Sequence, residues 1–231
     1  MSETSGGHMK TVRLLFNDAM ARAIVEGRKT VTRRPVDFRK LPHGVIEDTA
    51  AGPWPSWVDE YGDWHLETRQ AAPGDLLIGR ECWRVWPAGF TGSAVEYRAD
   101  GAVVEHKGWG AVGGGIAIDC GSDMEKYETT AGRWRPSIHM PDAAARIRRR
   151  VVSVTVERLQ DIDEDEAVRE GFMTSAGLEE LFRNCAPPGS RMARPRDNFS
   201  AAWESIYAAR GLGWVENPYV WRIEFSAENG A

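Results

Sequence analysis

The sequence predicts an α+β protein: a small β-barrel with short helices inserted between its strands and two long loop insertions. Three observations carry this. Segments with strand-like alternation outnumber helix-like segments, and each helix-like segment lies between two of them. The first and last strand-like segments both need partners. No linker-like stretch divides the chain, so one domain is expected over residues 10–227, with insertions at about 36–72 and 87–132. Residues 1–9 are set aside, because Ser2 to Met9 resembles a tag and cleavage scar with Met9 as the native start.

Thr11 to Phe16 reads as the first strand. Asn17 or Asp18 can cap a short helix over Ala19 to Glu26, with Met20, Ala23 and Ile24 on one side. Gly27 then stands where a helix C-terminus wants φ > 0. Thr30 to Arg34 is β-branched and alternating, so a second strand leaves directly from that turn, and Pro35 ends it. From Val36 to Gln70 the pattern dissolves into Pro, Gly, Trp and charge, the composition of a surface insertion. Pro73-Gly74-Asp75 makes a turn before a strong strand, Leu76 to Trp83. Residues 87–132 are rich in glycine and hold one or two short hairpins.

Trp134 to Pro141 is irregular and bounded by proline. Arg146 to Leu159 is a long strand. Ile147, Arg149, Val151, Ser153 and Thr155 point one way; Arg148, Arg150, Val152, Val154 and Val156 point the other. Asp163 with Glu166 three residues on has capping-box spacing and opens a helix through Arg169-Glu170, which Gly171 closes. Asn198 to Arg210 is an amphipathic helix with Phe199, Ala202, Trp203, Ile206 and Tyr207 on its apolar stripe, and Gly211 ends it. Tyr219 to Phe225 is the final strand. There is no internal repeat or low-complexity tract.

With 42% hydrophobic and 27% charged residues, the chain can build a core without disulfides or metals. No apolar run approaches the roughly 18 residues that span a bilayer, so no membrane partner is expected. Cys82, Cys120 and Cys185 are far apart, with no CxxC pair, and the five histidines form no HxxxH or HExxH spacing. These absences argue against zinc, and no cofactor or metal is expected. A reducing cytoplasm is the natural compartment. The net charge of −5 argues against a bulk electrostatic grip on long nucleic acid and leaves room for a small pocket or a local basic strip. Several of the ten tryptophans adjoin arginine, as in Trp83-Arg84, Arg133-Trp134-Arg135 and Trp221-Arg222. Such pairs can stack on bases, or fill the core of a compact barrel.

Lys29 and Thr32 lie three residues apart, past a helix end and entering a strand, which can bring an amine and a hydroxyl within reach. A lysine desolvated beside arginines has its charged form disfavoured, and its neutral amine can serve as a base for a neighbouring hydroxyl.

Gly27-Arg28-Lys29-Thr30-Val31-Thr32-Arg33-Arg34 resembles the GxKxxExR-type signature of ASCH domains, with Thr in the sixth place. The order around it is similar too: an apolar strand, a short helix, a Pro-Gly-Asp turn before a strand, Leu159-Gln160-Asp161-Ile162 leading into a helix that ends Arg169-Glu170-Gly171, and a closing strand Tyr219 to Phe225. Arg80 to Trp83, Trp134 to Pro141 and Asn217 to Phe225 resemble the longer, phage-type members. The likeness runs from about residue 11 to 226. It implies a PUA-like barrel. A Thr-containing form of the signature occurs in small amidohydrolases that deacetylate N4-acetylcytidine. That implies Lys29 as proton acceptor, Thr32 as nucleophile and Glu170 as proton donor, with no metal. Arg34, Arg80, Glu81, Trp83, Trp134 and His139 are put forward as substrate-binding residues, with Arg34 as a donor to an oxyanion; Arg33, where those enzymes tend to have an apolar residue, is a further substrate-binding candidate that would suit a phosphate.

This chain is about twice as long as those enzymes, and its insertions can roof a pocket; Trp54, Trp57, Trp64 and Trp109 are candidates to stack on a base or to anchor loops. The implied partner is a small nucleoside or modified base. The rivals are a PUA-like module that binds RNA or a modified base without chemistry, through a surface strip of Arg33, Arg34, Arg146, Arg148, Arg149, Arg150 and the tryptophans, and a ribonuclease using the same Lys and Arg on a phosphate.

Overall fold

The computed structural model describes residues 9–36, 38, 44–49, 52–58, 64–66, 71–86, 94–105, 109–112, 115–118, 132–172 and 194–228. Cys120, Cys185 and, Met9 apart, the expected tag remnant lie outside the described residues.

β1 (Thr11–Leu15) alternates exposed and buried side chains and sends Val12 and Leu14 inward. Asn17 caps α1 (Asp18–Val25) by accepting from the Met20 N–H at 2.9 Å, and Gly27 takes a φ of +75° just past the helix end. β2 (Val31–Pro35) follows at once. Segment 36–72, expected as a surface insertion, holds strands of its own. It contains an antiparallel sheet of β3 (Val45–Thr49), β4 (Gly52–Val58) and β5 (Trp64–Leu66).

The expected strand from Leu76 to Trp83 breaks at Glu81 into β6 (Leu76–Arg80) and β7 (Trp83–Trp86). The second insertion holds two hairpins: β8 (Ala94–Tyr97) with β9 (Val103–Glu105), and β10 (Trp109–Val112) with β11 (Gly115–Ile118). β12 (Ile147–Arg158) corrects the single alternation read from sequence. Its register shifts between Val151 and Ser153, so Ile147, Arg149 and Val151 are buried before the irregularity and Val154 and Val156 after it. An extra residue in a ladder exchanges the two faces of everything downstream.

Asp163 caps α2 (Glu164–Arg169), accepting from the Glu166 N–H at 2.8 Å. α3 (Pro195–Tyr207) begins three residues before the expected start, with Pro195 in its first turn. Phe199, Trp203 and Tyr207 form its buried stripe, while Ile206 is exposed. β13 (Tyr219–Phe225) is the last strand.

The chain divides into two compact units, each assembled from separate stretches. The first comprises Met1–Glu26, Leu76–Arg149 and Asn229–Ala231. In it β1 pairs in parallel with β6, and β7, β8 and β9 form an antiparallel meander. Ile78, Trp83, Val85, Val95, Tyr97 and Met140 make its core, and Tyr97 donates its hydroxyl to the Ala144 carbonyl at 2.8 Å. Gly79 is required by close packing: a Cβ there would sit 2.6 Å from Ile147 Cγ2.

The second unit comprises Gly27–Asp75 and Arg150–Glu228. β13 lies between β12 and β2, antiparallel to both, and α2 and α3 pack through Leu159, Ile162, Ala167, Phe199, Trp203 and Val220. Among the described residues the fold is mixed α+β, with short helices among several sheets, none closed into a barrel. No described helix is long and apolar enough to cross a membrane.

Candidate active site

The turn after Gly27 docks on the end of α2 through three consecutive residues. Arg28 donates to the Gly171 carbonyl at 3.0 Å, Lys29 Nζ to the Glu170 carbonyl at 2.9 Å, and the Thr30 N–H to the Arg169 carbonyl at 2.9 Å. A helix C-terminus leaves its last carbonyls without intrahelical donors, and this turn supplies them. Gly171, at φ +99°, lets the chain turn away immediately afterwards.

Lys29 is fully buried. Its Nζ also donates to the Val31 carbonyl at 2.8 Å and to Glu170 Oε2. An ammonium has three N–H donors, and these three acceptors use them all. Burial pushes the Lys29 amine below the ordinary lysine range; the Glu170 carboxylate opposes that shift, and Arg34 and Arg33 add to it. Glu170 is buried as well, and its other oxygen, Oε1, accepts from Arg33 at 3.2 Å.

A charged network continues outward. Arg33 Nε donates to Glu157 at 2.7 Å and Arg33 NH2 to Glu166 at 2.8 Å. Arg222 donates to both Glu166 oxygens at 2.8 and 2.9 Å, and Arg169 bridges Glu166 and Glu224. Lys29, Arg33, Arg169 and Arg222 are thus matched against Glu157, Glu166, Glu170 and Glu224. Burial disfavours charge on Arg33, but Glu170 and Glu157 outweigh it and hold its guanidinium above the ordinary value. Burial raises Glu157 above the usual carboxylate range against the pull of Arg33.

Glu166 is held down at about 2, chiefly by the hydrogen bonds from Arg222, against an ordinary 4.5. A carboxyl whose folded value is depressed stabilises the fold fully above its unfolded value and loses that contribution as pH falls through the folded one. Stability should therefore decline between pH 4.5 and about 2. Urea titrations across that range should show a shallower decline for Glu166→Gln; an identical slope would remove Glu166 from the acid transition.

Pleating separates neighbours in β2. Across the β2–β13 ladder Arg33 is opposite Arg222 and Val31 opposite Glu224, on the charged face; Thr32 is opposite Ile223 and Arg34 opposite Trp221, on the apolar face. Thr32 is buried at 1% exposure, and no hydrogen bond joins it to Lys29 or Glu170. The second unit therefore brings Lys29, Arg33 and Glu170 into contact and sets Thr32 and Arg34 at adjoining strand positions.

The other residues expected to bind substrate belong to the first unit. Arg80 donates to Asp142 at 2.9 Å. Glu81 is fully buried and accepts from Arg146 Nε at 2.8 Å and from one terminal nitrogen of Arg146 at 2.9 Å. Burial raises its carboxyl against the pull of Arg146. Trp83 is a core residue with 0% exposure. Trp134 lies under the Arg84 guanidinium, 4.5 Å from the ring centroid, and His139 is exposed in the 3-10 turn Ser137–His139. The arginines read as a basic strip are mostly engaged: Arg146 with Glu81 and Asp100, Arg148 with the Asp142 carbonyl, Arg149 with the Ile24 carbonyl, and Arg150 with the Gly74 carbonyl.

Sequence reasoning missed Glu157, Glu166, Arg222 and Glu224. The signal was the alternation Arg222, Glu224 between apolar Trp221, Ile223 and Phe225, which marks a charged sheet face opposite an apolar one. Among the described residues no group of three or more His, Cys, Asp or Glu side chains is placed to hold a metal ion. Comparison with protein-family models, with curated proteins and with solved structures returns no match to this chain.

Proposed function

We propose that this is an ASCH-type protein with a PUA-like barrel ancestry. In this reading it is a cytoplasmic, metal-independent amidohydrolase that removes the acyl group from N4-acylated cytosine nucleosides. The observation that supports the reading is the buried contact between Lys29 and Glu170, residues 141 positions apart in sequence, immediately before the strand that carries Thr32.

A buried Lys–Glu pair can exist as ammonium and carboxylate or, after one proton moves, as neutral amine and carboxyl. The neutral form holds a base and an acid side by side. Thr32 Oγ attacks the acyl carbon while the Lys29 amine takes its proton, and the Glu170 carboxyl protonates the departing exocyclic nitrogen. That leaves an acyl-threonine ester and the ionic pair. Water then attacks the ester; Glu170 takes the proton from water, Lys29 returns a proton to Thr32 Oγ, and the neutral pair is restored. Substrate must draw Lys29 from the Val31 carbonyl to Thr32 Oγ, the next residue along. Arg34 and backbone N–H groups of the turn are the donors for the oxyanion.

Purified protein with N4-acetylcytidine should release cytidine and acetate. Lys29→Ala, Thr32→Ala and Glu170→Gln should each lower kcat by roughly 10²-fold or more. The pH–rate profile should be bell-shaped, because the reactive pair holds one proton, and its alkaline limb, where that proton is lost, should have a midpoint below the ordinary lysine value of 10.5, because burial disfavours the charged amine. Wild-type turnover in all three variants would remove these roles. An inert wild type that binds RNA with steep salt dependence would favour the binding module.

A further inference from the structure

The first unit contains a cavity of about 430 Å³ where β1 meets α1, within the size range of small-molecule sites. It is bordered by Leu15, Asp18, Cys82, Arg98, Trp134 and Ser137. All of them belong to the first unit, so the cavity includes none of Lys29, Thr32 and Glu170.

Its polar equipment is an ion pair only partly used. Arg98 Nε donates to Asp18 Oδ2 at 2.7 Å, and the two side chains are 53% and 35% exposed. The terminal nitrogens of Arg98 donate to no described residue. Among the described residues, Asp18 Oδ2 accepts only that one bond, and Asp18 Oδ1 is buried without a donor. A carboxylate can accept about four hydrogen bonds and a guanidinium can donate five, so the pair keeps acceptor and donor capacity next to each other. Ion pairing also makes the two side chains jointly neutral, which favours a neutral guest over an anion or a cation. Trp134 supplies an aromatic wall and Leu15 and Cys82 supply apolar surface. With Arg84 over its ring, the indole has one face already covered and stacks a flat guest with the rest.

We propose that this cavity binds a small, neutral, planar nitrogen heterocycle whose edge carries an N–H beside a ring lone pair. The N–H donates to Asp18, the lone pair accepts from a terminal nitrogen of Arg98, and the ring stacks on Trp134. The proposal does not rest on amide hydrolysis in the second unit.

Adenine is the probe, because its edge has this pattern and it is not a product of deacylating a cytosine. Calorimetric titration of the full chain should give saturable one-to-one binding. N6,N6,9-trimethyladenine, which lacks every N–H, should bind about tenfold more weakly or worse, and benzoate should not compete. Arg98→Ala, Asp18→Asn and Trp134→Ala should each weaken adenine by about tenfold or more. Arg98→Ala changes an exposed side chain, and circular dichroism with a melting curve verifies folding for all three. No saturable binding, equal binding of the trimethyl compound, or preference for benzoate would overturn the proposal. So would binding that survives Arg98→Ala and Asp18→Asn but disappears in Lys29→Ala. Adenine bound as expected by a protein that hydrolyses no amide would leave this proposal standing and remove the amidohydrolase alone.

Discussion

Lys29→Ala should cost about 3–5 kcal/mol of unfolding free energy, the range for breaking one side of a buried ion pair. Glu170 would then keep a carboxylate in the interior with Arg33, at 3.2 Å, as its remaining cation. Two main-chain acceptors, the Val31 and Glu170 carbonyls, would lose their donor in the same step. The double variant Lys29→Met/Glu170→Leu should recover much of the loss, since apolar groups of similar volume often replace a buried pair at little net cost. Activity should not recover with it. Urea denaturation of the two single variants and the double variant gives the coupling energy, and deacylation assays on the same samples give the rate. A Lys29→Ala loss below about 1 kcal/mol would mean that the pair is not desolvated in solution. Recovery of both stability and turnover in the double variant would assign the pair to the fold alone.

That separation matters because the local features of the site are legible in the sequence and its long-range ones are not. The stop at Gly27 and the Asp163–Glu166 cap are set within one helical turn, so residue type suffices to place them. Even the link from Lys29 to Glu170 came from a resemblance, not from spacing. The rest of the network depends on strand register. Glu157 reaches Arg33 only because β12 and β2 flank β13, and β12 changes face at its irregularity between Val151 and Ser153. Which residue a ladder leaves unpaired is decided by the partner strand, and no feature of Ile147–Arg158 alone announces it. The division into two units is hidden for a similar reason: each alternates with the other along the chain, and no linker marks a boundary.

The strands within segment 36–72 are not legible in the sequence for a different cause. β4 carries Pro53 and Pro55, and proline in a strand pattern demotes it, because a missing N–H breaks a ladder. Both lie where β4 pairs with β3 only; β5 covers Ser56 to Val58. Pro53 and Pro55 therefore have a described strand on one side only, the edge setting in which a strand tolerates proline.

Trp54 is what makes this sheet testable as part of the second unit's core. Its ring meets Trp221 edge-on, with centroids 5.1 Å apart at 74°, and the two are 7% and 2% exposed. Trp221 sits mid-strand in β13, opposite Arg34 on one side and Val156 on the other, so it belongs to the apolar face that also holds Thr32. Trp221→Ala should cost about 3–5 kcal/mol, the range for emptying a large aromatic site in a core that can only partly collapse. Trp54→Ala should cost more than about 2 kcal/mol if the three-stranded sheet closes this core, and within about 0.5 kcal/mol if segment 36–72 is a surface loop. Edge-to-face pairs contribute about 0.5–1.5 kcal/mol beyond the area they bury, so the Trp54→Ala/Trp221→Ala cycle should return a coupling of that size. Chemical denaturation of the four proteins measures it. Additive losses would mean that the rings do not touch in solution. A neutral Trp54→Ala would detach the sheet from the core and leave Thr32, Ile223 and Trp221 covered by something other than segment 36–72.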